Sequence, residues 1–329
     1  MPSPADRLAR ALEALDKVLA EPEIGRAAAE AVLAAARDDE AAAVAYRALG
    51  LAFRETGDLG RALSALRRAI TVAERAGART RAAEARMTLI VVLSDRGMTE
   101  AALAEAALAA AVLTGVDRAR LQVNWGLVLL RTGRNAEALA MFDASQPVLQ
   151  AAGDTRFEAL LLNMRGTLHT YEGRFRDGSA DLLRGELLTR RTGQEVTHAM
   201  ILLNLGYLAR QLGDLPGALH RLAQAAAIYR RHGKRGSNLD VDRSDILLTA
   251  GLFGEARATV AAAIIEQDHH GFRYNLAEHH LMHARTALAD GDPAVAEQEA
   301  RRARSMFTRQ RRALWADQAR HAEVAARFA

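Results

Sequence analysis

Three asparagines carry the most specific chemistry in this sequence: Asn124, Asn163 and Asn204, each followed two or three residues later by a glycine, Gly126, Gly166 and Gly206. A carboxamide donates and accepts at once, so a row of them can bond both the N–H and the C=O groups of an extended peptide main chain. Asparagine gains little from a helix interior. Two readings stay open, recognition of a main chain and bonding between neighbouring helices. Five of the ten histidines fall close together, His269, His270, His279, His280 and His283. The i, i+4 pair His279 and His283 has a spacing that can chelate zinc from one helix face. However, His280, Leu281 and Met282 lie between them, so the internal carboxylate of a zinc-protease motif is missing. Structural or solvated histidines are the preferred reading.

The densest basic run is Arg301, Arg302, Arg304, Arg309, Arg311 and Arg312, and a smaller one holds Arg230, Arg231, Lys234 and Arg235. Such runs can bind a phosphate backbone or an acidic partner, but they also suit a solvated face near helix C-termini, which is preferred here. The formal net charge of +4 is too small to argue for nucleic acid. The sequence has no cysteine, which removes disulfides, thiolate metal sites and a thiol nucleophile. No G-x-G-x-x-G, Walker or G-x-S-x-G phrase occurs. The chain is therefore expected to be no enzyme, with no catalytic residue, no metal and no cofactor.

The elements that hold these residues follow from spacing. Gly50, Phe53, Gly57, Ala62, Leu66 and Ala69 are small or apolar at offsets of 3, 4, 5, 4 and 3. These offsets place two residues on one helix face, a glycine at its end and three on one face of the next helix. The turn glycine then recurs as Gly57, Gly97, Gly133, Gly173, Gly213, Gly251 and Gly291, 36 to 40 residues apart. Each can close a helix in the left-handed region at no steric cost. Asp58, Asp214 and Asp292 follow as N-caps of the second helix. Small residues recur where two helices must approach, as Gly126, Gly166 and Gly206 on first helices and Ala102, Ala138, Gly178 and Ala218 on second helices. At the N-terminus, Ser3 caps a helix with Pro4 at its first position and Leu8, Leu12, Leu15 and Leu19 on one face.

Half of the 329 residues are hydrophobic, enough for a large core, and only Lys17 and Lys234 are lysines. No apolar run has the length and freedom from charge of a membrane span, and the start has no secretory pattern. A cytoplasmic protein is expected.

The six positions of the Gly50–Ala69 phrase fit the tetratricopeptide (TPR) pattern, and the sequence resembles that family along nearly its whole length. The resemblance implies an all-α fold, a right-handed TPR superhelix (α-solenoid) of about seven helix-turn-helix repeats of 36–40 residues with capping helices. Its divisions are a divergent N-terminal capping hairpin at 1–37, an array at 38–311 and a C-terminal capping helix at 312–329. The repeats fall near 38–77, 78–115, 116–153, 154–193, 194–233, 234–271 and 272–311. In the family, first helices line a concave groove. This places Asn124, Asn163 and Asn204 there, with Arg131, Tyr171, Tyr207 and Arg210 adding charge and stacking beside them. The Lys/Asn/Arg clamp by which some members grip a C-terminal carboxylate cannot be assembled, because Leu160 and Met164 occupy its positions.

Three phrases are similar to the N-terminal TPR arrays of actinobacterial CHAT-domain proteins: Leu203-Asn204-Leu205-Gly206, the turn from Gly213 to Leu219, and Met306-Phe307-Thr308-Arg309-Gln310 with Trp315. In that family such an array precedes a caspase-like protease domain working through a His/Cys pair, which a chain without cysteine lacks. The resemblance implies a non-catalytic scaffold that recognises a protein or peptide in its concave groove and serves a caspase-like protease. The alternative is a signalling-peptide sensor like the TPR regions of bacterial regulators. No membrane partner is expected, and a nucleic-acid partner is disfavoured.

Overall fold

The computed structural model describes residues 3–35, 39–232, 239–270 and 273–329. Among them are seventeen α-helices and no strand. They begin with α1 (Pro4–Ala20), α2 (Pro22–Ala35), α3 (Glu40–Glu55), α4 (Leu59–Arg75), α5 (Arg79–Asp95), α6 (Thr99–Ala110) and α7 (Gly115–Arg131). Then come α8 (Asn135–Ala151), α9 (Thr155–Tyr171), α10 (Phe175–Thr192), α11 (Glu195–Gln211) and α12 (Leu215–Arg231). The chain finishes with α13 (Leu239–Thr249), α14 (Phe253–His270), α15 (Arg273–Ala289), α16 (Pro293–Arg309) and α17 (Ala313–Arg327). The helices gather into two compact units, one built mainly of residues up to Val128 and the other mainly of residues from Leu129 onward.

Local chemistry sets the helix ends. Ser3 accepts from the Asp6 amide while the Asp6 carboxylate accepts from the Ser3 amide, a capping box with Pro4 next to it. All seven turn glycines have positive φ, between 72° and 86°. Asp58, Asp214 and Asp292 each accept from the amide three residues on, at 2.9, 2.9 and 3.1 Å. Asp154 caps α9 in the same way. Arg134 and Arg174 stand at the equivalent place with no side-chain cap bond, so α8 and α10 start on backbone geometry alone. Gly233 and Gly271, at the ends of the expected repeats 194–233 and 234–271, lie outside the described residues, as do Lys234 and Arg235.

Helices pair along the sequence, α3 with α4, α5 with α6, α9 with α10, α11 with α12 and α16 with α17. First helices also meet one repeat apart, α3 with α5 in the first unit, and α9 with α11 and α11 with α13 in the second. Leu66, Leu89, Ile90, Leu93 and Leu121 are wholly buried in the first unit, and Phe142, Leu161, Leu162, Leu168 and Phe307 in the second. Among the described residues no helix is long and apolar enough to cross a membrane.

In the second unit one side chain ties three helices. Arg165 of α9 makes a two-pronged contact with Asp181 of α10 at 2.7 and 2.9 Å, and reaches Asp143 and Gln146 of α8 at 2.8 and 2.9 Å. Arg165 and Asp181 are each only 13% exposed. Arg165→Met is expected to cost about 3 kcal/mol, because it leaves Asp181 buried without its cation. Urea denaturation checks this, and an unchanged midpoint and slope would remove the tie from the account.

Candidate functional site

The asparagines sit where first helices face one another, and two of them are joined. In the second unit, Asn204 Nδ2 of α11 donates to Asn163 Oδ1 of α9 at 2.8 Å, across 41 residues. Asn163 is buried and Asn204 half-buried. One N–H of this pair is thereby spent inside the protein. Asn163 Nδ2 and Asn204 Oδ1 have no partner among the described residues, so the pair keeps one donor group and one acceptor. In the first unit Asn124 Nδ2 donates to the main-chain oxygen of Met87 on α5 at 3.1 Å. That bond already has the form an asparagine would make to a peptide carbonyl.

Beside the Asn163–Asn204 pair runs an aromatic and charged line across four helices of the second unit. Tyr171 at the end of α9 meets Tyr207 of α11 edge to face, with ring centroids 5.3 Å apart. The Arg210 guanidinium lies 5.2 Å from the Tyr207 ring centroid. It also pairs with Asp245 of α13 at 2.9 Å, and Asp245 is approached at 3.6 Å by Arg285 of α15. Tyr171 is half exposed, and burial pushes the Tyr207 hydroxyl upward in pKa. Beside the asparagines on the same first helices, Val123, Met164 and Leu203 are buried. The Thr167 and Thr170 hydroxyls donate back to Asn163 O and Gly166 O on their own helix. Arg131 closes α7, half-buried.

Two residues of this row escaped the sequence reading. Asp242 stands 38 residues after Asn204, the interval that also separates Gly206 from Ser244, so it occupies the asparagine position of the next first helix. Asp245 likewise follows Tyr207. The repeat register was the signal that could have found both. Burial, with the neighbouring carboxylates Glu278 and Asp245, pushes the Asp242 carboxyl up to about 8, and Arg210 pulls only weakly against them.

The first unit carries ion pairs in the corresponding place. Arg47 of α3 bonds Thr88 and Glu84 of α5 at 3.1 and 2.8 Å, Arg54 bonds Asp95 at 3.1 Å, and Arg81 returns from α5 to Glu40 at 2.8 Å. These residues hold neighbouring first helices together and give this unit a more highly charged row than the second.

The histidines turn to separate partners. His279 is wholly buried with Nδ1 on the Asn275 carbonyl, while His280 and His283 face Glu299. Among the described residues no three His, Cys, Asp or Glu side chains are placed to hold one metal ion. The side chains of His269 and His270 lie outside the described residues.

No protein-family model matches the sequence, and no curated protein matches it. Solved structures do. A Rap protein complexed with Competence and Sporulation Factor is similar at a TM-score of 0.62 and 11% identity, over 98% of both chains. The Rap conjugation gene regulator of plasmid pLS20, in complex with the Phr* peptide, is similar at 0.66 and 12% identity, over 83% of this chain and 75% of that one. The Cut9–Hcn1 assembly of the APC/C is similar at 0.58 and 15% identity, over 88% of this chain and 48% of that one. At these identities the likeness is one of fold. The chain is an all-α helical-repeat solenoid of TPR type.

Proposed function

We propose that this chain is a non-catalytic recognition scaffold that holds an extended peptide, or an extended segment of a protein, along its first helices. The observation that carries this reading is the Asn163–Asn204 pair, which is locked in place by one internal bond and retains an unpartnered carboxamide N–H group and an unpartnered oxygen. Those are the two groups that an extended main chain satisfies with its C=O and N–H. Tyr171, Tyr207 and Arg210 flank the pair and offer a rigid aromatic edge and a guanidinium for side chains. In the first unit Asn124 would offer a main chain its own carboxamide, and in the second Arg131 would add a guanidinium. The presence of a bound peptide in a structure of the same fold supports the reading by analogy.

Within it, a signalling-peptide sensor is favoured over service to a CHAT caspase-like protease. The sensor draws on the Rap-type fold, and the protease on three short sequence phrases alone.

Affinity capture from lysate of the source organism tests the proposal. The tagged chain is compared with an Asn124/Asn163/Asn204→Ala variant of unchanged helicity, and retained material is identified by mass spectrometry. A peptide or protein retained at least about tenfold better by the wild type is expected, as for loss of two or more buried hydrogen bonds. A free peptide points to the sensor and a caspase-like protease to the CHAT reading. Equal retention by both chains overturns the asparagine site.

A further inference from the structure

The histidine cluster and the arginine run, which the peptide reading leaves unused, converge in the second unit between α15 and α16. Their centre is Glu299 of α16, 6% exposed. His280 Nδ1 lies 2.5 Å and His283 Nδ1 3.6 Å from one carboxylate oxygen, and Arg302 donates to the other at 2.9 Å. Although burial pushes the Glu299 carboxyl up, the hydrogen bond from His280, the nearby His283 ring and the Arg302 charge bring it down to about 2. An ionised carboxylate takes a proton-bearing nitrogen, so His280 donates from Nδ1 and its ring is held with Nε2 on the far side. His280 is 7% exposed, and Nε2 has no partner among the described residues.

That ring forms the floor of an open surface groove of about 440 Å³ along α16, lined by Gln298, Arg301, Arg302, Ser305, Met306 and Arg309. Three arginines, a serine and a glutamine line it, and no Asp or Glu does. The acids that balance Arg301 and Arg302 are Glu297, Glu323 and Glu299, all outside the lining. They hold the two exposed guanidinium groups close to α16 while leaving further N–H donors on each. Arg309 donates to Ser305 Oγ at 2.8 Å and has no carboxylate partner among the described residues.

We propose that this groove binds the phosphate of a small phosphomonoester. Three terminal oxygens match several convergent guanidinium and hydroxyl donors, whereas a carboxylate offers two. Tethered donors lose little freedom on binding, which favours capture of a free small molecule. The volume lies within the range of small-molecule sites, and the Met306 thioether gives the organic part an apolar wall.

Isothermal titration calorimetry with ribose 5-phosphate, phenyl phosphate and inorganic phosphate tests the proposal on the full chain, with ribose and acetate as controls. Saturable binding of a phosphate compound with Kd on the order of 1 mM or tighter is expected, and none of ribose or acetate. Arg309→Gln is expected to weaken it about tenfold through the lost charge-assisted bond. Arg230→Gln, which removes an exposed charge on α12, is expected to leave it unchanged. Circular dichroism establishes that both variants keep their helices. No saturation by any of the three phosphates overturns the site, as does equal binding by Arg309→Gln and wild type. An equal loss in Arg230→Gln would also overturn it, by showing attraction to net charge alone.

Discussion

Gly166→Leu is expected to destabilise the protein by about 3 kcal/mol, at the upper end of core overpacking. A Cβ at Gly166 would stand 2.8 Å from Leu182 Cγ and 3.1 Å from the Gly178 carbonyl oxygen. The first neighbour is a branch point and the second is backbone, so neither yields by turning a rotamer. The approach is reciprocal, since a Cβ at Gly178 would lie 3.0 Å from the Gly166 oxygen and 2.6 Å from Thr170 Oγ1. Two backbones touch here, and only hydrogen fits between them. Gly185→Ala makes the comparison. Its Cβ would meet Ile201 at Cδ1, the movable tip of the side chain, at 3.0 Å. The gain of up to about 1 kcal/mol in helix propensity is then expected to leave that variant neutral or more stable than wild type. Chemical denaturation of both decides the matter. If Gly166→Leu matched Gly185→Ala, the α9–α10 contact would not be the close approach described here.

What the sequence made legible was chemistry that closes within a few residues. A glycine in the left-handed region and an aspartate accepting from an amide three positions on are local devices, and Gly213 with Asp214 behave as their spacing suggested. Small residues facing small ones, as at Gly166 and Gly178, were legible through the repeat period. The asparagines were legible as positions, but the direction in which each carboxamide turns depends on the offset of helices about forty residues apart. The spacing therefore could not choose between Asn204 bonding Asn163 and Asn204 bonding a ligand. The His280–Glu299 contact lay beyond reach for a further reason. Its partners are 19 residues apart on paired helices, and the adjoining residues supply Glu278 and Glu297 as equally plausible acids. In the same way, the anchoring of Arg165 on Asp181 was hidden among many possible ion pairs.

Asp242→Asn is expected to stabilise the protein at pH 8 by about 2 kcal/mol and to change little at pH 4. Asp242 holds the place that Asn204 holds on the preceding first helix, but with a carboxyl pushed up to about 8 by burial and by Glu278 and Asp245. The ordinary value is 3.8. Between those two values the folded chain keeps a proton that the unfolded chain has released, so the folded state binds more protons and stability falls as pH rises from about 4 towards 8. Asparagine has the shape of the protonated acid and no such equilibrium, so it removes the slope and leaves the shape intact. Asp242 is half-buried and not wholly enclosed, which limits the gain to a fraction of what full burial of a charge would cost. Urea denaturation of both chains at pH 4, 6 and 8 reads the effect directly. A gap that widens with pH identifies Asp242 as the strained member of the first-helix row. A constant gap, or one that closes as pH rises, would mean that Arg210 neutralises it as fully as it does Asp245, and the row would then carry no stored charge cost at this rung.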